Sequence, residues 1–111
     1  MPKFLIQARF TEESLKGTLE EGGTARHAAV SAAVESLGGK LEAYYYAFGD
    51  YDVVGIADMP GNVAAAGFAL AVASAKGATD TRTTVLLTPA DMDEAVKLHP
   101  DYRPPGHVAA T

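Results

Sequence analysis

The sequence predicts an α+β domain, a four-stranded antiparallel sheet with two long helices on one face. Three observations lead there. Residues 3–10 alternate apolar and polar side chains with the period of two that a half-buried strand requires, and three later runs are strand-like. Between them lie segments with apolar residues three and four apart, the spacing of an amphipathic helix. Gly22-Gly23, Gly38-Gly39 and Pro60-Gly61-Asn62 punctuate the boundaries. At 111 residues, with no internal repeat or linker, the chain reads as one domain, 1–111.

In the first strand Phe4, Ile6, Ala8 and Phe10 point one way, and Leu5, Gln7 and Arg9 the other. Thr11 followed by Glu12 and Glu13 has the chemistry of a helix N-cap, and this helix should stop at Gly22-Gly23. Thr24 is expected to cap a second helix over 25–37, closed by Gly38-Gly39. Its apolar stripe is Val30, Ala33, Val34 and Leu37, and at 100° per residue Arg26 falls on that stripe with His27 at its margin.

Residues 40–48 form the second strand, and alternation places Leu41, Ala43, Tyr45 and Ala47 toward the helices and Glu42, Tyr44, Tyr46 and Phe48 outward. Gly49-Asp50 is read as a tight hairpin turn into a third strand over 51–58. A third helix over 63–76, stopped by Gly77, is apolar on two sides and asks for two neighbours. Residues 81–88 give the fourth strand, Thr88-Pro89 starts a short helix reaching about Leu98, and residues 100–111 form an extended tail. Tyr102, Pro104 and Pro105 should dock that tail on the same or a neighbouring subunit. The β-α-β-β-α-β order is that of a ferredoxin-like domain with sheet order 4-1-3-2. Its uncovered sheet face calls for a second copy.

Composition excludes several classes of function. A net charge of −5 argues against affinity built on phosphate neutralisation, so no nucleic-acid partner is expected. The balance of 48 % hydrophobic and 21 % charged residues is that of a soluble globular domain. The absence of cysteine removes thiol catalysis and thiolate-held metals, and fits a cytoplasmic location. The three histidines stand far apart in the chain without metal-binding spacing, and no P-loop, nucleophile elbow or dinucleotide fingerprint occurs. No metal or cofactor is therefore expected. The apolar run at 4–6 is too short for a membrane span or a signal peptide.

The expected open face mixes rings with polar groups, and Gln7, Arg9, Tyr44, Tyr46 and Asp52 are its candidate ligand-binding residues. The plainer reading of that face is interface packing, in which large amphipathic tyrosines are common. Asp52 either ties down the hairpin or acts as a carboxylate of raised pKa in a cavity. Arg26 either pairs with Glu42 or Asp58, because an unpaired buried charge is costly, or grips an anion together with the helix N-terminus.

The run Gly38-Gly39-Lys40-Leu41-Glu42-Ala43-Tyr44-Tyr45-Tyr46-Ala47-Phe48-Gly49-Asp50-Tyr51-Asp52 resembles the signature region of the GYD domain family, whose glycine, tyrosine and aspartate map onto Gly49, Tyr51 and Asp52. Pro60-Gly61-Asn62-Val63, Ala75-Lys76-Gly77-Ala78, Thr83-Thr84-Val85-Leu86-Leu87-Thr88-Pro89 and Tyr102-Arg103-Pro104-Pro105-Gly106 extend the resemblance over nearly the whole chain. Gly61 departs from it, since many members carry an acidic residue there. The resemblance implies a dimeric α/β barrel, in which two ferredoxin-like sheets close together, and carries over no catalytic residue. Two functions follow as alternatives. One is a homo-oligomeric binding or regulatory module holding a small molecule at the sheet face. The other, resting on fold analogy alone, is a cofactor-independent monooxygenase, isomerase or lactone-type enzyme. An enclosed cavity with a polar group in reach of a ligand would favour the enzyme, and a filled barrel the module.

Overall fold

The structure is a computed structural model that describes residues 1–107. Its elements are β1 (Lys3–Phe10), α1 (Glu12–Glu21), α2 (Gly23–Ser36), β2 (Lys40–Tyr46), β3 (Val53–Asp58), α3 (Asn62–Ser74), β4 (Ala78–Leu86) and α4 (Pro89–Ala95). All strand pairs are antiparallel, and the sheet order is β2-β3-β1-β4, which reads β4-β1-β3-β2 from the opposite edge.

Local chemistry explains the boundaries. The Thr11 hydroxyl accepts the Ser14 amide at 3.1 Å and caps α1 as its sequence position predicts. The second helix starts one residue before Thr24, not after it. The chain turns at Gly22 with φ of 84°, a left-handed conformation that glycine adopts without steric cost, so Thr24 lies inside the first turn and caps nothing. The C-terminal end of α2 matches expectation, with the Gly38 and Gly39 amides donating back to the Glu35 and Val34 carbonyls at 2.9 and 3.1 Å. Thr88 and Asp91 exchange two hydrogen bonds of 3.0 Å in a capping box that starts α4, which ends at Ala95, short of Leu98.

The expected tight turn at Gly49-Asp50 is instead a wider loop over 47–52. The Ala47 amide donates to the Asp52 carbonyl at 3.0 Å, and β3 starts only at Val53. The fourth strand begins at Ala78, three residues earlier than its composition suggests, because an irregularity lets it continue past Asp80. That aspartate sits at φ 44°, in the left-handed region that short polar side chains tolerate best after glycine.

One face of the sheet carries the core. Phe4 and Ala57 pack with Val34 of α2, Met59, and Ala65 and Phe68 of α3, and Ile6, Val30, Leu41 and Val72 lean on this cluster. The helix-facing set of β1 is therefore the one that alternation predicts. Phe68 is buried, while Val63 and Leu70 of the same helix are 89 % and 70 % exposed, so its second apolar side is uncovered among the described residues. The opposite sheet face is likewise uncovered. Residues 87–107 are exposed throughout, so the described part of the tail is not buried against its own body. The last residues of the expected tail, 108–111, lie outside the described ones. The molecule measures 66 × 29 × 24 Å with a radius of gyration of 18.1 Å, against about 13 Å for a compact chain of this length.

Candidate ligand-binding cleft

Two bulges decide which side chains meet. In the β2–β3 pair Leu41 faces Ala57, but Ala43 faces Ile56, so Glu42 is an extra residue. Beyond it the alternation is inverted: Tyr44 sits opposite Gly55 and Tyr46 opposite Val53, on the same side as Ile6 and Ala8. Tyr44 and Tyr46 thus turn toward the helices, correcting the outward placement expected from unbroken alternation. Tyr45 takes the outward position and is 70 % exposed. In the β1–β4 pair Thr81 shares the helix side with Thr83 by alternation, and the register shift between Gln7 and Arg9 brings Ala78 to that side opposite Phe10.

The five candidate residues consequently do not share a face. Gln7 and Arg9 stay on the open side. There Arg9 and Arg82 reach the Asp80 carboxylate at 3.4 and 3.8 Å and stand over the Tyr51 ring, 5.9 and 5.7 Å from its centre. These ion pairs are exposed and contribute little to stability. Asp52 takes the structural role weighed for it. Its carboxylate accepts the Phe10 amide at 2.8 Å, while its own amide donates to the Ala8 carbonyl at 3.0 Å. Asp52→Ala is expected to lower stability by about 1–2 kcal/mol, because the partly buried Phe10 amide loses its acceptor; urea denaturation of the variant checks it.

Tyr44 lines a cleft between sheet and helices that unbroken alternation does not anticipate, and Tyr46 packs against Tyr44 without lining it. The layer is filled at one end by Phe4, Met59, Val34 and Phe68. At the other end small residues, Ala8, Gly55, Gly77 and Ala78, leave it open, with a cavity volume of about 90 Å³ inside a cleft whose mouth brings the empty space to about 650 Å³. Ile6, Phe10, Val30 and Val72 make its walls apolar, and Arg26, Tyr44 and Thr81 are its polar lining residues.

The aromatic side of the cleft is locked. His27 stacks on Tyr44 with ring centres 5.2 Å apart, and Tyr46 stands edge-on to Tyr44 at 5.4 Å. The Tyr46 hydroxyl donates to the Gly23 carbonyl at 2.9 Å, and a Cβ on Gly23 would come within 2.9 Å of the Tyr46 ring, so a side chain there would have to push the ring aside. Burial, and then the neighbouring Tyr46 phenol, push the Tyr44 hydroxyl well above the usual tyrosine range, against an opposing pull from the Arg26 charge. Tyr44 therefore remains a protonated donor throughout the neutral range.

The sign of the linkage follows. Above the unfolded tyrosine pKa of 10.0, the unfolded chain releases a proton that folded Tyr44 keeps, so stability falls as pH rises through that value. Tyr44 should give a late step, above the ordinary tyrosine range, in an ultraviolet phenolate titration, and Tyr44→Phe should remove it.

Arg26 does not pair with Glu42 or Asp58. Lys3 takes both, at 2.8 and 2.9 Å across the open face. Arg26 lies in the first turn of α2 and lines the cleft without a carboxylate partner among the described residues. Among the described residues no three histidine or acidic side chains are placed to hold a metal ion, and no helix is long and apolar enough to cross a membrane.

These features define an α+β protein with an antiparallel four-stranded sheet and an apolar cleft under its helices. Residues 4–96 match the family model of the GYD domain, and the chain belongs to that family. No curated protein and no solved structure gave a significant match.

Proposed function

We propose that this protein is a homodimeric, cytoplasmic binding module that holds a small apolar molecule in the cleft between sheet and helices. The observation that carries the reading is the half-filled layer: a wall of apolar side chains with a few converging polar groups is the usual make-up of a small-molecule site. The element order and sheet order support a ferredoxin-like fold. The open face, with Leu5, Val54, Ile56 and Tyr45 around its polar groups, supports pairing of two sheets as in a dimeric α/β barrel. The cysteine-free composition supports the location.

A native mass spectrum of protein purified from its own source should show two chains and a retained small molecule. Val30→Trp, which fills the cleft from α2, should lose the molecule and keep the dimer. A protein that carries nothing in either form overturns the binding reading, and a single-chain mass at micromolar concentration overturns the dimer. The enzyme alternative keeps one specific support, a protonated phenol and a guanidinium in one cleft lining, a pairing suited to stabilising a developing oxyanion. Return of a bound compound in chemically altered form would decide for it.

A further inference from the structure

We propose that the cleft selects small organic anions, single-ring carboxylates above all, and that the Arg26 guanidinium and the Tyr44 hydroxyl grip the anionic end. The inference deepens the binding reading above and rests on the cleft being the ligand site. Its starting point is a charge without a counter-charge. None of the six ion pairs among the described residues includes Arg26, and the two carboxylates within its expected reach are held by Lys3. Glu13 and Glu21 border Arg26 on the α1 side without forming an ion pair with it.

A guanidinium partly withdrawn from water against an apolar wall is costly unless an anion completes it. Arginine is also the side chain whose planar fork matches a carboxylate with two parallel hydrogen bonds. Tyr44 adds a neutral hydroxyl to the same lining, and that lining contains no carboxylate to repel an incoming anion or compete for the fork. The position of Arg26 in the first turn of α2 adds the positive end of the helix dipole. The chain as a whole carries −5, so its general field disfavours anions, and selection must come from this local pair. The apolar inner volume, small and ring-sized, fits the other end of such a ligand.

The test compares benzoate with benzamide, a neutral molecule of the same shape, by titration calorimetry on the full chain. Wild type should prefer benzoate by about tenfold or more, the usual worth of hydrogen bonds to a charged group. Arg26→Gln should bring the two affinities together, and Tyr44→Phe should weaken benzoate alone. Equal binding of both probes to wild type overturns the anion assignment and leaves the cleft reading standing. If neither probe binds, both fail. Should Arg26→Gln not fold, the wild-type ratio and its fall with added salt still decide the matter. A ratio near one, or one indifferent to salt, counts against the grip.

Discussion

Phe68→Ala is expected to destabilise the protein by about 3–4 kcal/mol, the cost of a deleted buried ring and of the cavity it leaves. Phe68 is 8 % exposed and stands at the boundary of the layer, belonging both to the packed cluster and to the wall of the cleft. Its cluster mates, Phe4, Val34 and Met59, are held by their own packing, and the small residues Ala8, Gly55, Gly77 and Ala78 on the cleft side have no side chain long enough to close the gap. These small residues make the cleft possible and also make this ring hard to replace. Leu70→Ala, on the exposed side of the same helix, should change stability by less than about 0.5 kcal/mol. Urea midpoints at unchanged slope would read both. A Phe68→Ala loss below 1 kcal/mol would mean that the layer collapses, and the cleft with it.

The contrast between those two residues shows where the sequence was readable. Two-residue and 3.6-residue periods are set by backbone geometry, so the inward face of β1 and the Phe68–Val72 side of α3 follow from the order of residues. Capping by Thr11 and by Thr88 with Asp91 was equally legible, since each places a short polar side chain directly before a helix. The bulge at Glu42 was not. Three consecutive tyrosines can be placed inward or outward without changing the hydrophobic pattern, and no glycine marks the irregularity. One extra residue inverts the facing of Tyr44, Tyr45 and Tyr46, and moves two of the five candidate residues from the open face to the helix side, Tyr44 of them into the cleft.

Arg26 was legible as an anomaly on an apolar stripe, but its partner was not. Which cation takes Glu42 and Asp58 depends on strand register, and Lys3 wins because β1 pairs Lys3 directly with Asp58. The turn of the β2–β3 hairpin is wider than its composition suggests for a related reason. Gly49-Asp50 has the composition of a tight turn, yet Asp52 is held by Ala8 and Phe10 of β1. Contacts from a strand more than 40 residues away in sequence fix the loop, and local turn chemistry does not register them.

Ending the chain at Thr88 is expected to leave the body folded and to weaken self-association by tenfold or more. Beyond Leu86 the chain leaves the body, carrying Met92, Val96, Leu98 and Tyr102, all exposed and the last 72 % so. Apolar groups strung along a projecting arm gain nothing from water, and each buried one contributes on the order of 1–2 kcal/mol. Among the described residues they are buried against nothing, whereas a second copy would offer two surfaces, the open sheet face and the Val63–Leu70 side of α3. In a symmetric pair each arm can be exchanged for the other, so every contact counts twice. Removing the arm therefore costs the dimer two sets of contacts and the monomer almost none. Light scattering over a dilution series, alongside urea denaturation, separates the two effects. Weaker association with an unchanged body places the arm on the partner. A destabilised body with an unchanged mass places it back on its own chain, and no change in either measurement would mean that the arm is a solvated extension.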